Sequence, residues 1–177
     1  MTEPHLKDRT YALWLIPEAK VRGRLARTIR RLSRQHSTSG FPPHITLASG
    51  IVAPAREVAA KTAHLAKSLR PIHLRLTSID FRDEYFRCLF VKVARTRPLV
   101  RAHQKAKQVF GLRGRRAFLP HVSLVYGDLS LATKRDIALA LGRRFNLEFD
   151  VRRMDVVAIQ GPPSHWRRLK SFWLGRK

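Results

Sequence analysis

A single cysteine, Cys88, stands in a chain of 177 residues. That excludes an internal disulfide and any thiolate cluster for zinc, and Cys88 itself reads as a small buried hydrophobe. No run of 18 uncharged apolar residues occurs, which argues against a membrane-crossing helix, and the start MTEPHLKDRT lacks the hydrophobic stretch of a signal peptide. A soluble, cytoplasmic protein with no membrane partner is expected. Acidic residues are also few, 12 against 36 Lys and Arg, for a formal net charge of +24. Carboxylate-rich metal sites are therefore a poor expectation, and the surface is suited to polyanions. Arg predominates, and its planar fork of donors grips phosphate, so a phosphate-bearing ligand is expected, with RNA a candidate partner. Charge of this kind also serves solubility alone, so the ligand has to be read from the motifs.

What is present is a core-forming content, 44% apolar, sufficient for one domain. Periodicity alternates between 2 and 3.6, with Pro and Gly at most joints, which predicts an α+β fold. TYALWLI (residues 10–16) reads as a strand, followed by a helix in which Val21, Leu25, Ile29 and Leu32 recur at helical spacing among many Arg. A Ser, Gly and Pro loop leads to the strand HITLASGIV, then to a helix over residues 56–69. LRLTSIDF and YFRCLFVKV read as a hairpin, and Pro98 opens a third helix running to about Phe110. The order then recurs: strand PHVSLVYGD, a helix over residues 131–144, and strands DVVAIQ and LKSFWL, with GPPSHW as a turn. Aligning HITL with HVSL gives strand–helix–strand–helix–strand in each half, so a pseudo-symmetric domain of two lobes is expected, about 1–80 and 81–177, with strand exchange allowed between them. A monomer is expected.

The chemistry lies in two tetrapeptides, His44-Ile45-Thr46-Leu47 and His121-Val122-Ser123-Leu124, each preceded by Pro. On a strand alternate side chains share a face, so His44 projects beside Thr46 and His121 beside Ser123, while Ile45, Leu47, Val122 and Leu124 turn to the packed side. One such match arises by chance in roughly one chain in five, and two in roughly one in a hundred, so the pair is informative where a single copy is not. Neither motif has a third His or carboxylate at a ligand spacing, so no metal and no cofactor are expected. No nucleophile-elbow motif is present, and a Ser beside its own His on one strand face lacks a third orienting group. Two imidazoles with two hydroxyls suit phosphodiester hydrolysis: one His takes a proton from water, the other gives one to the departing ribose oxygen, and Thr46 and Ser123 donate to the non-bridging oxygens. His121 is taken as the base and His44 as the acid. His5, His36, His64, His73, His103 and His165 are read as surface or cap residues.

These motifs resemble those of the 2H phosphoesterases, and in particular the plant and yeast type of cyclic phosphodiesterase. The likeness takes in YALWLIP, FPPHITLASG, YFRCLFVKV, FLPHVSLVYGDL and a Trp near the end at His165-Trp166. The resemblance implies antiparallel sheets lining a central cleft with helices outside. It implies opening of ADP-ribose 1″,2″-cyclic phosphate to the 1″-phosphate, or of a nucleoside 2′,3′-cyclic phosphate to the 2′-phosphate. By the same resemblance Trp14 and Tyr126 line the phosphate and ribose site and Phe86 stacks on a base. Strict alternation puts Tyr126 on the face opposite His121, so it reaches the cleft only if the strand ends or twists before Gly127. Arg113, Arg115 and Arg116, ahead of the second motif, exceed what a small nucleotide needs and keep open an RNA end, for cyclic-end hydrolysis or 2′-5′ ligation. A non-catalytic basic RNA-binding module is the remaining alternative.

Overall fold

The computed structural model describes residues 9–114, 117–142 and 145–175. Seven strands and four α-helices lie among them: β1 Thr10–Pro17, α1 Ala19–Gln35, β2 Ile45–Val52, α2 Ala55–Ser68, β3 Ile72–Phe81, β4 Leu89–Val93, α3 Arg97–Val109, β5 His121–Val125, α4 Leu131–Leu141, β6 Glu148–Ala158 and β7 Arg167–Trp173. The fold is α+β and every pairing in the sheet is antiparallel. Its order is β2-β1-β6-β3-β4-β5, with β7 also on β6.

β3 joins two half-sheets. Ile72 to Arg75 pair with β6, then the register breaks and Leu76 to Phe81 pair with β4. One half-sheet therefore gathers β2, β1, β6 and β7, and the other gathers the end of β3 with β4 and β5. β2 and β5, each at an outer edge, come into contact with one another.

Alternation explains the packing. On β1, Tyr11, Leu13 and Leu15 enter the main core, while Ala12, Trp14 and Ile16 form a separate cluster with Val157 on the other face. Ile45, Leu47, Val122 and Leu124 are fully buried on the packed side, as the period of two requires. α1 buries Val21, Leu25, Ile29 and Leu32 in the main core, about 1.5–3 kcal/mol of apolar burial for each large side chain. Its remaining faces carry the arginines.

The structure corrects two strand assignments. YFRCLFVKV is not one strand: Tyr85–Arg87 form a 3-10 turn, closed by the Arg87 amide donating to the Glu84 carbonyl, and β4 starts only at Leu89. The aromatic pair Tyr85 and Phe86 is thereby lifted out of the sheet and left about half exposed. β6 begins at Glu148, well before DVVAIQ, because Phe149, Val151 and Met154 are buried although Arg152 and Arg153 interrupt the apolar pattern. The last helix ends at Leu141, where Gly142 takes a left-handed φ of 51°. Residues 143 and 144, at the end expected for that helix, lie outside the described residues, as do His5, Arg115 and Arg116. No helix among the described residues is long and apolar enough to cross a membrane.

Candidate active site

A cavity of about 500 Å³ opens between the two half-sheets. Trp14, His44, Thr46, Phe86, His121 and Tyr126 all line it. Both histidines are tethered in the same way. The Nδ1–H of His44 donates to the Pro42 carbonyl at 2.7 Å, and that of His121 to the Leu119 carbonyl at 2.7 Å. A carbonyl can only accept, so Nδ1 carries the proton in each neutral ring and Nε2 is left for the cavity. The prolines at 43 and 120 help to set this geometry, since the residue before a proline is held extended.

Trp14 lies flat on the His44 ring, centroids 3.6 Å apart and planes 7° apart. The cross-strand register pairs Trp14 with Thr46, which keeps indole, imidazole and hydroxyl on one side of the β1–β2 ribbon. Among the described residues no ring stacks flat on His121. His121 sits at the open start of β5, with its ring 4.9 Å from that of Phe90.

Burial pushes His44 down to about 4, opposed by its bond to the Pro42 carbonyl and helped by the charge of His121. Burial also lowers His121, with the Leu119 carbonyl and Glu84 working against it and Arg87 with it. Both rings line the same cavity.

Tyr126 reaches the cavity because β5 ends at Val125, so alternation no longer governs its direction. Its ring stacks on Phe41 with centroids 3.7 Å apart, and burial raises its pKa, so the phenol keeps its proton and can donate. Ser123 is placed differently from its counterpart Thr46. It is buried, it is absent from the cavity wall, and its hydroxyl donates to the Phe86 carbonyl at 3.1 Å. Phe86 stands at the mouth, half exposed, within 5.3 Å of Tyr126 and 5.8 Å of Trp166 between ring centroids.

The cavity also takes in residues that had no assigned role. His103, read as surface or cap, lines the wall: its Nδ1–H donates to the Leu47 carbonyl at 2.7 Å and its ring stacks on Phe118 at 3.9 Å. Its position one residue after buried Ala102, on the inward face with Leu99 and Ala106, was the available signal. Arg87, hidden inside an apparent strand, lines the cavity and pairs with Glu84 at 3.0 Å. Of the other histidines, His36 is the C-cap of α1, while His64, His73 and His165 are exposed. Cys88 is fully buried. Among the described residues no group of three or more His, Cys, Asp or Glu is arranged to hold a metal ion.

The profile of a family described as cyclic phosphodiesterase-like protein matches residues 10–174, almost the whole chain. The chain belongs to this family. Membership places it among cyclic phosphodiesterase-type enzymes of the 2H phosphoesterase group. A curated relative, the cyclic phosphodiesterase of Arabidopsis thaliana, is 21% identical over 131 residues, which is 74% of this chain and 72% of that protein. Two solved structures share the fold. The E. coli LigT complex with 3′-AMP is 17% identical with a TM-score of 0.67, covering 96% of this chain and all of that one. TT0787 of Thermus thermophilus is also 17% identical with a TM-score of 0.67, covering 94% of this chain and 98% of that one.

Proposed function

We propose that this family member hydrolyses a five-membered cyclic phosphate on ribose, by acid–base catalysis between His44 and His121 and without a metal ion. The observation that carries this reading is the matched tethering of the two imidazoles, each by Nδ1 to a carbonyl two residues back, with both rings on one cavity. The substrate is a nucleoside 2′,3′-cyclic phosphate opened to the 2′-phosphate, or ADP-ribose 1″,2″-cyclic phosphate opened to the 1″-phosphate. A fold relative crystallised with 3′-AMP supports a ribose phosphate as the ligand class.

In the reaction the neutral Nε2 of one His takes a proton from water as its oxygen attacks phosphorus. The bond from phosphorus to one ribose oxygen breaks, and the other, protonated His returns a proton to that oxygen. The deeper depression of His44 favours it as the neutral base and His121 as the acid, the reverse of the division expected from the sequence. Thr46 and the protonated Tyr126 supply hydrogen bonds to the non-bridging oxygens, where charge accumulates in the transition state. Ser123 joins them by rotating its hydroxyl off the Phe86 carbonyl. Phe86 offers its exposed ring to a base at the mouth of the cavity.

A substrate panel tests the proposal: 2′,3′-cyclic nucleotides, ADP-ribose cyclic phosphate and 3′,5′-cyclic nucleotides, all with chelator present. Opening of one or both ribose five-membered rings, with 3′,5′-cyclic nucleotides left intact, is expected. Turnover only after a metal is added, or of none of these compounds, rejects it.

A further inference from the structure

α1 carries Lys20, Arg22, Arg27, Arg30, Arg31 and Arg34, and its sequence AKVRGRLARTIRRLSRQ contains no acidic residue. Arg27 and Arg31, and likewise Arg30 and Arg34, stand four apart, a spacing at which like charges repel along a helix. None of the five arginines just named forms an ion pair among the described residues, whose salt bridges lie on other elements. Arg27, Arg30, Arg31 and Arg34 are exposed. Among the described residues, Arg22, Arg27, Arg30, Arg31 and Arg34 thus leave a cationic surface without a carboxylate partner along about 18 Å of helix.

That face is grooved. One depression, of about 440 Å³, lies among Arg27, Arg30, Arg31 and Arg34. A second, of about 480 Å³, shares Arg30 with it, takes in Arg22, and is walled on its far side by the segment Gly40, Phe41, Pro42 and Pro43. The same segment does not line the catalytic cavity itself but supports two residues that do: the Pro42 carbonyl holds His44, and the Phe41 ring stacks on Tyr126. A polyanion in the groove is therefore one segment of backbone away from the reacting phosphate.

From this we infer that the α1 face binds the sugar–phosphate backbone of an RNA strand whose cyclic 3′ end occupies the cavity, so that the preferred substrate is an oligoribonucleotide rather than a mononucleotide. The strand is RNA because a ribose 2′,3′-cyclic end needs a 2′-hydroxyl. To this extent the inference rests on the activity proposed above.

The test compares three proteins on two substrates. The proteins are the wild type, the triple variant Arg27→Ala, Arg31→Ala, Arg34→Ala, and a control that removes equal charge elsewhere, Arg56→Ala, Lys67→Ala, Arg70→Ala. All six positions are exposed, and Ala, the strongest helix former, preserves α1. The substrates are a nucleoside 2′,3′-cyclic phosphate and an oligoribonucleotide with the same cyclic end. The α1 variant should lose about 10–100-fold in kcat/KM on the oligonucleotide and nothing on the mononucleotide, with the control near wild type on both. Binding of an unreactive oligoribonucleotide bearing a 3′-phosphate should weaken in parallel, its salt dependence shallower by about 2 in log–log slope for three lost phosphate contacts. Equal effects of the α1 and control variants, or equal effects on the two substrates, overturn the inference. If the wild type opens no cyclic phosphate, the activity proposal fails by itself, and the binding measurement still decides whether α1 is an RNA surface.

Discussion

Acid should weaken this fold through His44, by an amount the structure sets. Burial holds its pKa near 4, against 6.5 for the free side chain. Between those values the unfolded chain binds a proton that the folded chain refuses, so stability falls as pH falls from 6.5 and the loss is complete below about 4. From pH 7 to pH 4.5 this single group accounts for about 2–3 kcal/mol. The indole face of Trp14 attracts an imidazolium, so the figure is an upper bound. The experiment is urea unfolding of the wild type and His44→Gln at both pH values, read as the change in stability between them. Gln lacks the titration, so its change should be smaller by about that amount, whatever its stability at pH 7. His121 and the carboxylates titrate in both proteins and cancel. Equal changes in the two proteins would show that His44 is not held neutral by burial, and would remove the reason for making it the base.

The roles of the two histidines separate on a substrate whose leaving group needs no proton: His121→Ala should recover much of its rate there and His44→Ala should not, and the opposite pattern restores the sequence-based division. Thr46→Ala should lower kcat more than Ser123→Ala, because only Thr46 already lines the cavity, and equal losses in steady-state kinetics would contradict this. Phe86→Ala should raise KM for a nucleotide several-fold and leave the thermal midpoint almost unchanged, since half of the ring is already in water; a large fall in the midpoint would make it a packing residue. Lys134 is buried and its Nζ donates to the Arg82 carbonyl at 3.1 Å, so Lys134→Met should cost about 1–3 kcal/mol in denaturant unfolding, and no loss would remove it as the anchor of the segment leading to Phe86.

Much of this molecule could be read from its residues because local pattern and packing agree. α1 follows from Val21, Leu25, Ile29 and Leu32, and the inward burial of Ile45, Leu47, Val122 and Leu124 follows from strand alternation. The two His motifs could be found because the same chemistry recurs at the same spacing. What stayed hidden depends on tertiary contacts. Tyr85 and Phe86 have strand-like chemistry, yet a 3-10 turn carries them to the cavity mouth, where they meet Tyr126. The start of β6 is masked by arginines whose neighbours are buried. Ser123 matches Thr46 in the motif, but only the packing around Phe86 shows where its hydroxyl goes. His103 comes to the site from α3, more than fifty residues from the carbonyl it bonds, and no local pattern links them.

The pH dependence of kcat/KM on a nucleoside 2′,3′-cyclic phosphate, with chelator present, tests the pairing of His44 and His121 most directly. Both groups lie below 6.5 in the free protein, so the profile should be a bell with its optimum on the acid side of that value, its limbs belonging to the coupled pair. Replacing either His with Ala should cost about 10²–10⁴-fold and abolish one limb, and replacing both should cost less than the product of the two. A profile that stays two-sided in either single variant, or a variant that keeps wild-type turnover, would contradict the account.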